Sequence, residues 1–122
     1  MIAPRDADVH HALGLLLVRQ KRLPEAVEAL EQSAKLSPNN PHYSYAYAVA
    51  LNTTGKPNQA IKVLEETHTR YPYDREILYA LAAFNRDMEN LDEARGYAEK
   101  LVTLSPNDPD ARHLLDSLQP QR

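Results

Sequence analysis

The five histidines are the first residues here with chemistry to offer, because neutral imidazole is the commonest protein ligand for transition metals. His10 and His11 are adjacent, so on a helix they diverge by about 100° and cannot both face one ion. Glu65 and His68 stand at i and i+3, yet no second histidine joins them and no His-Glu-x-x-His occurs. The spacing therefore predicts no metal centre and places these rings on the surface or between helices. Nucleophilic chemistry is equally unsupported. Ser33, Ser37, Ser44, Ser105 and Ser117 lie in helical or capping contexts without a Gly-x-Ser-x-Gly elbow. The absence of cysteine removes thiolate nucleophiles, thiolate zinc sites, disulfides and covalent haem attachment together. The glycines Gly14, Gly55 and Gly96 are too scattered to cradle a phosphate. The acid pairs Glu65-Glu66 and Asp92-Glu93 are neighbours on solvated helix faces, so no catalytic centre and no cofactor is expected.

The seven tyrosines are more informative. Tyr43 and Tyr47 share one helix face, Tyr71 and Tyr73 flank Pro72, and Tyr97 supplies bulk beside Ala98. Tyr45 and Tyr79 are 34 residues apart, in one column with His11. Tyrosine offers a large contact area at low entropic cost, which suits a binding strip.

The elements that must position these side chains follow from composition and punctuation. At 122 residues the chain fits one compact domain, and 43% hydrophobic with 25% charged residues excludes a disordered chain. The longest run without a polar side chain, Ala12–Val18, is seven residues, against roughly 20 for a bilayer span, so no membrane insertion is expected. The N-terminus has no cationic stretch leading into an apolar run. A chain without cysteine suits the cytoplasm and the periplasm alike. A net charge of -3 lacks the basic excess that a phosphate backbone demands, which argues against nucleic acid.

Nine prolines stand out in a sequence otherwise rich in helix formers. Each would cost about 3 kcal/mol inside a helix, so they mark boundaries. Pro4, Pro38, Pro72 and Pro106 recur every 34 residues and divide the chain into windows 7–40, 41–74 and 75–108. Alanine repeats in register at Ala26, Ala60 and Ala94, as do Leu13, Tyr47 and Leu81, each followed by a small residue at Gly14, Ala48 and Ala82. Leu17 aligns with Leu51, and Leu30 with Leu64. Each window reads as two amphipathic helices, with Leu13, Leu16 and Leu17 forming one apolar stripe and Val27, Leu30 and Ala34 another. The first helices are predicted over about 7–20, 41–53 and 75–88, and the second over about 24–36, 57–70 and 91–104. Pro24 and Pro57 fall on first turns, where a missing N–H costs nothing; Pro41 and Pro109 open helices, and Pro120 stops a last helix over about 110–119.

This pattern resembles the tetratricopeptide repeat, a helix–turn–helix unit of 34 residues. The matching residues are Leu13-Gly14, Leu17, Ala26, Leu30 and Pro38; Tyr47-Ala48, Leu51, Ala60, Leu64 and Pro72; and Leu81-Ala82, Ala94 and Pro106. The resemblance implies an all-α fold: an α-solenoid of three antiparallel helix hairpins in a right-handed superhelical arc, closed by a C-terminal capping helix. Its division would be a tail of a preceding repeat or linker at 1–6, repeats at 7–40, 41–74 and 75–108, and the cap and C-terminal tail at 109–122. Ile2 and Pro4 fall in the columns of Leu36 and Pro38, which leads us to expect a piece of a longer array with further repeats upstream. His10, Ser44 and Leu78 replace the family's early tryptophan, and Asn85 and Ala98 stand where bulky residues are usual, so a looser third repeat is expected.

In the family, a concave groove holds partner peptides. Carried over by register, it would be lined by Asp8, His11, Leu15 and Val18; His42, Tyr45, Val49 and Asn52; and Glu76, Tyr79, Ala83 and Arg86. Such a Tyr/His/aliphatic strip suits an extended or helical segment with apolar anchors. Family members that clamp a C-terminal carboxylate use lysines, an arginine and asparagines here, and only Arg86 and Asn52 match in type. Window 75–108 has four basic and seven acidic residues, so a partner with a basic flank is favoured. The expected function is a non-catalytic scaffold that binds a protein or peptide partner. The alternatives are a regulatory or assembly segment of a larger enzyme or redox protein with its groove filled intramolecularly, and a homo-oligomer formed through the exposed N-terminal face.

Overall fold

The computed structural model describes residues 6–119, and the regular elements among them are seven helices: α1 (Ala7–Arg19), α2 (Leu23–Leu36), α3 (Pro41–Thr53), α4 (Pro57–Arg70), α5 (Arg75–Asp87), α6 (Leu91–Leu104) and α7 (Pro109–Leu118). No end departs from its expected position by more than one residue. The expectation placed on Ile2 and Pro4 lies outside the described residues.

Two local devices, each repeated at the 34-residue period, set the helix ends. Asp6, Asn40, Asp74 and Asp108 are the N-caps of α1, α3, α5 and α7. Their side-chain oxygens accept from the backbone N–H of Asp8 at 2.9 Å, His42 at 3.1 Å, Ile77 at 3.0 Å and Asp110 at 2.9 Å, satisfying donors that the first helical turn leaves unpaired. The turns that end α1, α3 and α5 share a second device. Arg22, Lys56 and Asn90 each donate a backbone N–H five residues back, to Leu17, Leu51 and Asn85. The residue before each donor is left-handed: Lys21 at φ 60°, Gly55 at 82° and Glu89 at 63°. This is a Schellman closure, and only Gly55 is the residue type that adopts it without a Cβ penalty.

The chain forms two compact units, residues 1–63 and 64–122, with the division inside the continuous helix α4. Sequence length suggested one domain with one core. A repeat chain instead distributes its apolar surface among neighbour contacts, so burial is local to each unit. In the first unit α2 packs against both α1 and α3. Leu17, Ala26 and Ala29 form one buried cluster, and Leu30 is 1% exposed. A Cβ on Gly14 would lie 2.5 Å from Leu30 Cγ and Cδ2, so the small residue in this column permits the close approach of α1 and α2. The apolar stripe expected on α1 is only partly buried: Leu17 is covered, whereas Leu13 and Leu16 are 44% and 48% exposed. The α1–α2 contact uses the Gly14 and Leu17 side, which turns the other two leucines toward solvent.

In the second unit α6 packs on α5, and α7 packs on both. Ala82, Ala94, Ala98, Leu114 and Leu118 make one cluster and Leu78, Leu101 and Ala111 another, with Tyr97 against both. The third repeat is not loose. Ala98 is fully buried because Leu114 and Leu118 of α7 fill the space beside it. Asn85 is 3% exposed, donates from Nδ2 to the Leu81 carbonyl at 2.8 Å and accepts from Asn90 Nδ2 at 3.1 Å. A polar residue in a core column is thereby satisfied and fastens the α5–α6 turn. Arg95 holds the other end of α7, donating from Nε and Nη2 to the Leu118 carbonyl at 3.2 and 3.1 Å. Arg75 donates to the α7 cap residue Asp108 at 2.8 Å. Partial desolvation of the Asp108 carboxyl works against this bond and the Asp110 and Ala111 amides, but they outweigh it and hold its pKa low.

Candidate functional site

Eight of the twelve residues assigned to the groove lie in the first unit, on α1 and α3, and the spacing i, i+3, i+7, i+10 puts each set of four on one helix face. Five of them, Leu15, Val18, His42, Tyr45 and Val49, line a single cleft of about 200 Å³. Its remaining walls are Leu23 and Leu30 of α2 with Ala46, Ala50 and Thr53 of α3. Leu15 and Val18 are 45% and 40% exposed, so apolar surface is left open at the mouth. Asp8, His11 and Asn52 do not line the cleft.

Asp8 and His11 belong to an aromatic cluster at one end of the same face. The His11 ring stacks on Tyr43 at 4.5 Å between centroids and meets His42 edge-on at 5.4 Å, and His42 lies 6.0 Å from the Tyr45 ring. The Tyr43 hydroxyl donates to Asp8 Oδ1. Burial lowers the pKa of His11; His42 adds to the lowering and Asp8 opposes it, leaving the ring neutral at neutral pH. His11 Nδ1 is enclosed without a hydrogen-bond partner. Tyr47, expected in the core column, is half-buried and donates to Glu31 Oε2 at 3.2 Å; burial, then the Glu31 charge, pushes its hydroxyl up to about 12. Among the described residues no group of three or more His, Asp or Glu side chains is placed to hold a metal ion.

The other four residues that register assigned to the groove, Glu76, Tyr79, Ala83 and Arg86, lie along α5 in the second unit and line neither the α1–α3 cleft nor a second cleft between α4 and α6. Tyr79 is 43% exposed, Glu76 and Ala83 are half-buried, and Arg86 Nε donates to Asp87 Oδ1 at 3.2 Å.

Sequence reasoning did not find the cleft's floor. Leu23, Leu30, Ala46, Ala50 and Thr53 reach it from α2 and from a second face of α3. The small residues Ala46 and Ala50, four apart beside Tyr45, were its one signal in the sequence.

This arrangement of helix hairpins is that of tetratricopeptide repeat domains. The first such domain of Spaghetti (RPAP3), bound to the HSP90 peptide SRMEEVD, superimposes with a TM-score of 0.83 at 20% identity, covering 96% of this chain and 93% of that one. The tetratricopeptide domain of Sgt2 from Aspergillus fumigatus gives 0.82 at 20% identity, covering 95% and 78%. MamA from Desulfovibrio magneticus RS-1 gives 0.79 at 23%, covering 94% and 65%. A family model described as the cytochrome c-type biogenesis protein H TPR domain matches residues 2–112, and the chain belongs to that family. Among curated proteins, it is 28% identical over 110 residues to cell division cycle protein 27 homolog A of Arabidopsis thaliana, covering 90% of this chain. It is 24% identical over 94 residues to mouse interferon-induced protein with tetratricopeptide repeats 3, covering 75%. The chain spans 15% and 23% of those two proteins' lengths. Among the described residues no helix is long and apolar enough to cross a membrane.

Proposed function

We propose that the chain is a non-catalytic interaction module whose α1–α3 cleft holds an apolar anchor of a partner polypeptide. The observation that carries this reading is the open apolar cleft bounded by Leu15, Val18, Tyr45 and Val49. A domain of the same fold holds a peptide, which supports a polypeptide as occupant. The partner chemistry differs. SRMEEVD carries three acids, whereas the assigned lining here presents Asp8, Glu76, a neutral His11 and an Arg86 already engaged by Asp87. An apolar segment with neutral or basic flanks fits better. The family's description places such a module in cytochrome c-type biogenesis, so the segment would belong to a polypeptide of that assembly route. Titration of isotope-labelled protein with overlapping peptides of a c-type apocytochrome tests both points. Amide shifts should concentrate on α1 and α3 around Leu15, Tyr45 and Val49. Shifts confined to other helices would refute the site, and silence from every peptide would refute the partner.

A second reading has its own observation. Leu13 and Leu16 lie open on α1, which suits self-association through that face. Light scattering should then show a concentration-dependent mass that Leu13→Glu with Leu16→Glu abolishes. A constant monomer mass in the unaltered chain would remove this reading.

A further inference from the structure

The α1–α3 cleft restricts its occupant in size and in polarity. At about 200 Å³ it takes one side chain, since a dry cavity of roughly 150 Å³ already admits a benzene ring. Leu30, Ala46 and Ala50 give it an apolar floor, and the Thr53 hydroxyl donates to the Val49 carbonyl at 2.9 Å. A hydroxyl carried to that floor would exchange water for carbon. One wall is aromatic: the His42 and Tyr45 rings lie 6.0 Å apart with their planes at 26°. A third ring gains offset or edge-on contact there that an aliphatic chain does not. Size, floor and wall together favour the unsubstituted ring of phenylalanine.

The two ends of the cleft are opposite in charge. Asp6 and Asp8 stand where α1 begins, beside the His11 and His42 rings, and His11 is held neutral chiefly by burial. Asp8 is exposed, and its carboxylate accepts only from the Tyr43 hydroxyl among the described residues, at Oδ1. Its other oxygen is open to a cation. The last turn of α2 returns to this end, but its Lys35 is paired with Glu31 at 3.4 Å. At the opposite end, Arg19 and Lys21 close α1 and Lys56 follows α3. All three are exposed and make no ion pair among the described residues, whereas Arg22 is engaged by Glu25.

We propose, building on the reading of this cleft as a polypeptide site, that it holds a phenylalanine in one direction, with a cationic residue of the same segment beside Asp8 and none at the Arg19–Lys21–Lys56 end. Asp8 stands seven residues before Leu15, about 10 Å along α1. A lysine two residues from the ring in an extended segment covers about 7 Å by its backbone, and its side chain spans the rest. The basic flank thereby acquires a fixed end of the cleft, and a segment with its charge on the wrong side meets like charge instead.

The test is titration of the whole labelled chain with acetyl-Lys-Ala-Phe-Ala-Ala-amide and acetyl-Ala-Ala-Phe-Ala-Lys-amide, which differ only in the side that carries lysine. Both should shift the amides of Leu15, Ala46 and Val49 with dissociation constants of about 1 mM, the affinity class of a single anchor. One of the two should bind about threefold more tightly, the size of an exposed ion pair. Asp8→Asn keeps an acceptor for Tyr43 and should abolish that difference. Tyrosine in place of the peptide's phenylalanine should weaken binding about fivefold or more. Ala46→Leu should weaken it about tenfold by filling the floor, with helicity retained by circular dichroism. Equal affinities of the two peptides, or a difference that survives Asp8→Asn, would overturn the direction. Undiminished binding of a tyrosine or alanine peptide would overturn the phenylalanine anchor. Silence from these peptides at roughly 10 mM, where apocytochrome peptides do shift the cleft, would overturn this proposal alone. Silence from both sets would remove the polypeptide reading beneath it.

Discussion

Replacing Gly14 and Gly96 separately by alanine isolates the packing that sets the α1–α2 distance. Both glycines lie inside helices, so each substitution gains up to about 1 kcal/mol of helix propensity. At Gly96 nothing opposes the gain, because a Cβ there has no neighbour within 4 Å. At Gly14 the new carbon would stand 2.5 Å from Leu30 Cγ and Cδ2, where carbon atoms normally rest about 3.5–4.0 Å apart. Leu30 is 1% exposed, and the open space it borders is the α1–α3 cleft, so it can yield only by moving into that cleft. Overpacking of this kind costs about 1–3 kcal/mol, so Gly14→Ala should be neutral to about 2 kcal/mol destabilising. The two variants should therefore differ by about 1–3 kcal/mol in urea unfolding, with the loss at Gly14 localised to α1 and α2 by hydrogen exchange. Equal stabilities would mean that Leu30 yields freely and that the small-residue column does not set the helix spacing.

Other perturbations reach other parts of the account. Asp74→Ala removes the side-chain acceptor for the Ile77 amide and should cost about 1 kcal/mol in chemical denaturation, while Asp74→Asn should keep most of the stability. Glu89→Gly relieves a left-handed residue at φ 63° and should stabilise by about 1 kcal/mol, whereas a loss would show that the Glu89 side chain does more than occupy the turn. Burial lowers the folded-state pKa values of His11 and His68 below 6.5, so the unfolded chain binds more protons between those values and 6.5. Their contribution is thus present above pH 6.5 and lost as the pH falls through their folded pKa values, and His11→Phe with His68→Phe should flatten the stability profile between pH 7 and 5. An unchanged slope would show that neither ring carries the effect.

The helix boundaries were legible because proline cannot occupy a helix interior, so its spacing alone ruled out most alternatives. The N-cap column Asp6, Asn40, Asp74 and Asp108 recurs at the same period but is hard to tell from ordinary loop, where short polar residues are common. Burial on α1 was not legible. Leu13, Leu16 and Leu17 make an equally good stripe in sequence, and only the approach of Leu30 to Gly14 selects the Leu17 side. Asn85 looked like a defect because its partner Asn90 lies beyond the helix end, and Ala98 looked like a void because the leucines that fill it come from α7. At the candidate site, register alone assigned residues to α1 and α3. The floor of the cleft and the His11–His42–Tyr43 cluster depend on distances between helices, which a one-dimensional pattern does not contain.

Binding of a polypeptide at the α1–α3 cleft is tested most directly at Tyr45, which lines it. The measurement is calorimetric titration of the peptide identified by chemical-shift mapping into the unaltered chain and into Tyr45→Ala. The expected result is affinity weaker by about 1 kcal/mol or more, roughly fivefold, with helicity unchanged by circular dichroism. Unchanged affinity in the variant would place the binding surface elsewhere.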